Sequence, residues 1–365
     1  MARMPGVGAK ELPAFRRRLL SWFRRHKRDL PWRRTRDPYR IWLSEIMLQQ
    51  TRVAAAIPYY QRFLDTFPTV QDLARARSSS ALRAWAGLGY YTRARNLHRA
   101  AREIVARHGG NFPREAEAVL QLPGIGEYTA AAILSIAYGE PLAALDGNVA
   151  RVLARLGAAR GDLRRPKTWR RLSETANSLL ARDAPGDWNE AMMELGATVC
   201  TPAAPRCAEC PVARWCRAYA LGLAERLPPP KRKPAAVKIT LAAAVLLDRR
   251  GRTLLIRQSN GDGALFARLW QFPAVEAGDD ASRDMREHLR SHYDLDASMR
   301  DAEIVPLAPA RHTVTYRDIR LLPFLVRVPR LPKVAGARTP AIASLGRLAI
   351  SGATRKIASA ALRVL

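Results

Sequence analysis

Cysteine is scarce in this chain of 365 residues: there are four, all between Cys200 and Cys216. That crowding excludes a disulfide framework spread over a fold and points to a metal site. Acidic residues are also short, 32 Asp and Glu against 61 Lys and Arg, for a formal net charge of +29. Divided at Pro230, the first part carries 37 basic and 20 acidic residues and the second 24 and 12, so the excess is not the work of one tail. An Arg-rich genome explains the choice of Arg over Lys but not the imbalance itself. A polyanionic partner, nucleic acid before membrane, is the better reading. No stretch approaches the ~18 uncharged apolar residues of a membrane span. Met1 to Lys10 lacks the apolar core of a signal peptide, so a cytoplasmic protein is expected, with no membrane partner. Hydrophobic residues make up 48%, which excludes a disordered chain.

From Leu12 to about Leu223 apolar residues recur at spacings of three and four, as in Phe15 to His26, Ile41 to Thr51, Ser80 to Gly87 and Val149 to Leu156. This part is expected to be all-α. Pro228-Pro229-Pro230-Lys231-Arg232-Lys233-Pro234 then interrupts the pattern, because consecutive prolines favour an extended spacer. The expected division is a helical domain over 1–227, a linker over 228–236 and a second domain over 237–365. In the second, Ile239 to Leu247, a turn at 248–251 and Thr253 to Arg257 read as a hairpin. Ser282 to Tyr293 reads as a helix and Val314 to Val328 returns to strand, which makes this domain α+β.

Cys200, Cys207, Cys210 and Cys216 have the spacing C-x6-C-x2-C-x5-C. Four thiolates in one loop can wrap a single centre, and thiolate ligation selects iron–sulfur or zinc. Zinc ribbons usually present two C-x2-C pairs, and only one exists here. Arg206, Arg214 and Arg217 beside these cysteines suit a loop that meets phosphates. Leu122-Pro123-Gly124-Ile125-Gly126 joins two helical segments, Glu115 to Gln121 and Tyr128 to Tyr138. Gly124 and Gly126 would let the backbone turn tightly and offer N–H groups to a phosphate, although a plain glycine-capped helix connection reads the same way. Asp146 can N-cap the helix that follows it, and an anion held there is expected to stay ionised. Glu45 shares a helix face with Ile41 and Leu48, beside Trp42, Ile46 and Met47, so burial should raise its pKa. A protonated Glu45 and an ionised Asp146 would form the split pair that acid-assisted glycosidic cleavage requires.

Residues 42 to 51, Trp-Leu-Ser-Glu-Ile-Met-Leu-Gln-Gln-Thr, resemble the signature of MutY-type adenine DNA glycosylases of the endonuclease III-like helix–hairpin–helix superfamily. So do Trp85-Ala86-Gly87-Leu88-Gly89-Tyr90-Tyr91, Asp187-Trp188-Asn189-Glu190-Ala191, the Leu122 to Gly126 hairpin and the four cysteines. The resemblance implies a [4Fe–4S] cluster on Cys200, Cys207, Cys210 and Cys216. It implies a monomer acting on double-stranded DNA with A:8-oxoguanine or A:G mispairs, from which a flipped adenine is excised in base excision repair. It makes Glu45 the acid at adenine nitrogen 7 and Asp146 the stabiliser of the sugar cation. Tyr128 and Asn148 would support them, Arg33 and Glu190 would hold the adenine, and Gln50 and Leu88 would fill or wedge the base stack. Bifunctional relatives carry a lysine where this chain has Tyr128, so no Schiff base is expected there. The second domain resembles the family's Nudix-like module, most clearly at Leu269 to Pro273. Arg286-Glu287-His288-Leu289-Arg290-Ser291 lacks the paired acids that hydrolysis of a pyrophosphate needs. Lesion reading is therefore expected of it, although Val314-Thr315-Tyr316 stands where the family has Phe-Ser-His, keeping the hydroxyl at Thr315 but neither the aromatic nor the histidine. The alternatives are an endonuclease III-type glycosylase, opposed by Tyr128 and the second domain, and a non-catalytic iron–sulfur DNA-binding module, opposed by the acidic pair.

Overall fold

The computed structural model describes residues 7–163, 165–229, 235–257, 266, 269–293, 295, 303–314 and 316–365. The chain divides into two units, Met1–Arg75 with Arg95–Arg232, and Ala76–Ala94 with Lys233–Leu365. The helices up to the cysteines are α1 (Leu12–His26), α2 (Pro38–Leu48), α3 (Val53–Thr66), α4 (Val70–Arg75), α5 (Ser78–Ala84), α6 (Tyr91–His108), α7 (Ala116–Gln121), α8 (Glu127–Tyr138), α9 (Gly147–Leu156), α10 (Pro166–Leu179) and α11 (Pro185–Thr198). A short α12 (Arg217–Ala220) follows the cysteine loop. Proline opens the first turn of α1, α2, α10 and α11, where its missing N–H leaves no bond unmade. Among the described residues no helix is long and apolar enough to cross a membrane.

The apolar stripe of α1, Phe15, Leu19 and Phe23, is fully buried against Leu153 of α9 and Trp188 and Leu195 of α11. Trp215, just before the last cysteine, meets Phe15 edge-on at 5.3 Å, and Cys200, Cys210 and Cys216 pack on the same core. Each such large side chain contributes about 1.5–3 kcal/mol by leaving water. The cysteine loop is thus anchored to the helices that carry the candidate site.

The second unit is built on a mixed sheet. Its strands are β1 (Val237–Leu247), β2 (Ile256–Arg257), β3 (Trp270–Gln271), β4 (Ala274–Glu276), β5 (Ile304–Pro306), β6 (Ala310–Val314) and β7 (Arg317–Arg327). The main sheet runs β4-β1-β7-β5, with β6 also on β7. β1 and β7 are parallel over their whole length, from Val237↔Arg317 to Leu247↔Arg327. Alternation along β1 sends Ala243, Val245 and Leu247 to one face and Ala242, Ala244 and Leu246 to the other. The first face is covered by Ile357 and Ala361 of α14 (Gly352–Leu362), the second by Met285, Leu289 and Tyr293 of α13 (Ala281–Tyr293). A strand covered on both sides reads as a continuous apolar run rather than as an alternating one.

The expected hairpin after Leu247 needs correction. Its turn forms, with Gly251 N–H donating to Asp248 O at 3.0 Å and a bridge between Leu247 and Thr253. The strands then part, because β1 has β4 and β7 as neighbours while β2 pairs antiparallel with β3.

Candidate active site and cysteine loop

Asp37 caps α2 by accepting from Tyr39 N–H at 2.8 Å, and the helix is buried almost throughout. Glu45 sits in that buried run at 7% exposure. Its Oε2 accepts from Tyr128 Oη of α8 at 2.6 Å, and the same hydroxyl lies 3.2 Å from Met193 Sδ. Burial lifts the Glu45 carboxyl to about 7; the bond from Tyr128 and the Arg33 charge oppose this, while Asp146 and Glu190 reinforce it. Burial likewise holds the Tyr128 phenol well above its ordinary value, so Tyr128 remains a donor.

Asp146 is the N-cap of α9: Oδ1 accepts from Val149 N–H at 2.7 Å and Oδ2 from Asn148 Nδ2 at 3.0 Å. The expected cap forms, but the shift differs from expectation. Burial raises the Asp146 carboxyl, and the N–H donors of Val149 and Asn148 only partly offset it. Asn148 is steadied by Arg151, whose Nη2 donates to Asn148 Oδ1 at 2.9 Å and Gly196 O at 2.7 Å, and whose Nε donates to Cys200 O at 2.8 Å. Gly196 lets α11 approach α9 closely, since a Cβ there would lie 2.7 Å from Asn148 Cβ.

Arg33 lies on a 3₁₀ turn, Pro31–Arg34, with its side chain 8% exposed. It donates from Nε to Glu190 Oε1 at 3.1 Å, from Nη2 to Glu194 Oε2 at 2.9 Å and from Nη1 to Arg28 O at 3.1 Å. Arg28 also grips Glu194, from Nε at 2.8 Å and Nη2 at 2.7 Å. Burial works against the Glu194 charge, but the bonds from Arg28 and Arg33 outweigh it and hold the carboxyl at about 2. Arg28, Glu194, Arg151 and Met193 carried no sequence motif that singled them out; a second Glu one helical turn after Glu190 was the available signal for Glu194.

The remaining candidates are more scattered. Gln50 is exposed with φ of 57°. Leu88, expected to wedge between bases, is buried at 9% exposure, whereas Tyr90 is 43% exposed with φ of 48°. Gly124 has φ of 82° and lies against Asn96, so the turn needs it. Gly126 corrects the expectation of two turn glycines: it is the extended N-cap of α8, and a Cβ there would meet open space. Thr315 lies outside the described residues.

All four cysteines are half-buried and unpaired. Arg155 of α9, 1% exposed, donates from Nη1 to Cys200 Sγ at 3.2 Å and to Thr201 O at 2.7 Å, and from Nη2 to Pro202 O at 3.1 Å. A buried cation beside a sulfur suits a thiolate donor set. Among the described residues no group of three or more His, Cys, Asp or Glu side chains is gathered for a single metal ion.

A helix–hairpin–helix at Gly124 feeding α8, a buried Glu facing it and a capping Asp on the next helix define the architecture of base-excision DNA glycosylases. Residues 43–178 match the profile of the HhH-GPD superfamily of base excision DNA repair proteins. A thermostable thymine-DNA glycosylase of known structure is 31% identical, with a TM-score of 0.53 over 58% of this chain and 98% of that one. The chain belongs to the HhH-GPD superfamily. Within it the chain is similar to the adenine DNA glycosylase of Homo sapiens, 50% identical over 217 residues, 57% of this chain and 40% of the relative. It is also similar to that of Arabidopsis thaliana, 38% identical over 333 residues, 78% of this chain and 52% of the relative. The chain spans about half the length of these curated relatives.

Proposed function

We propose that the protein is a monofunctional adenine DNA glycosylase that flips adenine from a mispair with 8-oxoguanine or guanine and hydrolyses its N-glycosidic bond. The observation that carries this reading is the buried Glu45–Tyr128 pair, 2.6 Å apart, with Asp146 near enough to raise the Glu45 carboxyl. Arg33 and Glu190 bind the ring edge of the flipped base. Protonated Glu45 donates to adenine nitrogen 7 and the glycosidic electron pair leaves with the base. Asp146, directed by Asn148, faces the resulting sugar cation. Water then adds at the anomeric carbon and its proton returns to Glu45. Tyr128 is not an amine, so no Schiff base forms at that position.

Cys200, Cys207, Cys210 and Cys216 would hold a [4Fe–4S] cluster, whose contribution when bound is to fold their loop. Support comes from the four-thiol donor set and the Arg155 cation beside Cys200. The proposed domain division is 1–227, 228–236 and 237–365. The last is a Nudix-like module that reads the 8-oxoguanine strand, and the protein acts on chromosomal DNA as a monomer.

The deciding experiment is single-turnover excision on duplexes carrying A opposite 8-oxoguanine, A opposite G and T opposite G. Release of adenine from the first two, leaving an intact abasic strand until alkali is added, is expected. Release of thymine alone would instead favour a mismatch thymine glycosylase.

A further inference from the structure

Glu194 has no place in the proposed chemistry, yet it is held by four hydrogen bonds from two arginines. Its side chain is 1% exposed. It accepts from Arg28 N at 3.1 Å, Arg28 Nε at 2.8 Å, Arg28 Nη2 at 2.7 Å and Arg33 Nη2 at 2.9 Å. A buried ion cluster is weak evidence for stability, because well-packed apolar residues of the same volume do as well or better. What apolar residues cannot do is fix a guanidinium in direction and cancel its charge. Arg33 needs both. Its side chain is 8% exposed, its Nε reaches Glu190, and its charge acts on Glu45.

We propose that Glu194, clamped by Arg28, is a positioning residue that directs Arg33 at Glu190 and the base pocket and balances the positive charge felt by Glu45. The inference rests on the glycosylase reading for its purpose, not for its test. The charged and titratable groups that act most on Glu45 are Tyr128 of α8, Asp146 at α9, Glu190 of α11 and Arg33 of the 3₁₀ turn. Those holding Glu194 are Arg28 and Arg33, and the Arg33 guanidinium also lies over the Phe23 ring at 5.3 Å. Arg36 reaches Glu190 at 3.9 Å from a half-exposed position. Glu194 and Arg28 can each lose their charge without breaking a bond to Glu190 or Glu45.

The sign of the effect follows from electrostatics. Removing the Glu194 charge leaves Arg28 and Arg33 less compensated, which favours ionised Glu45. Removing the Arg28 charge does the reverse. Glu45 titration can be followed directly by carboxyl ¹³C shifts in glutamate-labelled protein, with Glu45→Gln identifying the signal. In Glu194→Gln the midpoint should fall by about one pH unit, the order expected when one nearby charge is lost in a protein interior. In Arg28→Gln it should rise by about half a unit or more. Opposite shifts support the proposal; midpoints of both variants that match wild type overturn it. Should Glu194→Gln fail to fold, Arg28→Gln decides alone by whether the midpoint rises or stays. Excision profiles form a separate arm: at pH 8 Glu194→Gln should lose about tenfold in single-turnover rate and at pH 5.5 less than about threefold. Inactive wild-type protein with a Glu45 titration that still answers to Glu194 would reject the glycosylase reading and keep this one.

Discussion

Glu45 behaves as a store for one proton, because the wall around it resists charge and Tyr128 supplies a partner for the oxygen that remains. With the carboxyl at about 7, half of the molecules are loaded near neutrality. Excision should fall tenfold per pH unit above that midpoint, measured as single-turnover rate from pH 6 to 9. Glu45→Gln should lower excision by about 100-fold or more while duplex affinity survives; a near-wild-type rate would remove Glu45 from the chemistry. The same shift has a thermodynamic side. A carboxyl raised above its unfolded value binds a proton more tightly when folded. Its stabilising contribution is complete below the unfolded pKa and lost as pH rises through the folded one. Glu45→Gln removes that loss, so at pH 8 it should melt above wild type, by up to about 2–3 kcal/mol in stability.

At the level of elements, the site depends on how closely α9 and α11 approach. Gly196→Ala would place a methyl group 2.7 Å from Asn148 Cβ and 3.1 Å from Asn148 O. Backbone cannot yield as a side chain does, so α9 and α11 must part. A loss of about 1–3 kcal/mol by thermal melting is expected, with a fall in excision that Gly346→Ala, where a Cβ meets open space, does not show. The cysteine loop makes its own prediction: protein purified without oxygen should carry about four irons per chain and negligible zinc, and one zinc without iron would contradict it. Several elements were legible in the amino-acid order. The buried setting of Glu45 follows from Trp42, Ile46 and Met47 around it, and Asp146 as a cap follows from the turn before a periodic segment. Arg28 and Glu194 were not, because the two are 166 positions apart and each alone is an ordinary surface charge. The parting of β1 from β2 was equally hidden, since a turn specifies its own bonds and not the neighbours its strands meet later.

On the scale of the whole molecule, each unit has a core of its own. A chain truncated after Pro230 keeps the core of the first unit, together with Ala76–Ala94 of the second, and should still excise adenine opposite G. It should also lose most of its preference for adenine opposite 8-oxoguanine, read as the ratio of single-turnover rates; an unchanged ratio would move lesion reading to the helical unit. The parallel pairing of β1 with β7 has a consequence for how the protein is made. β1 leaves the ribosome roughly 70 residues before its partner begins, from Leu247 to Arg317. At about 5–20 residues per second this amounts to several seconds of synthesis. Through that interval the face that packs on Ile357 and Ala361 stays bare, and the other gains α13 partway but still lacks Phe324 and Val326 of β7. The nascent chain is then a natural client for a chaperone that shields short apolar strands, and a pause in translation inside that window would prolong the exposure.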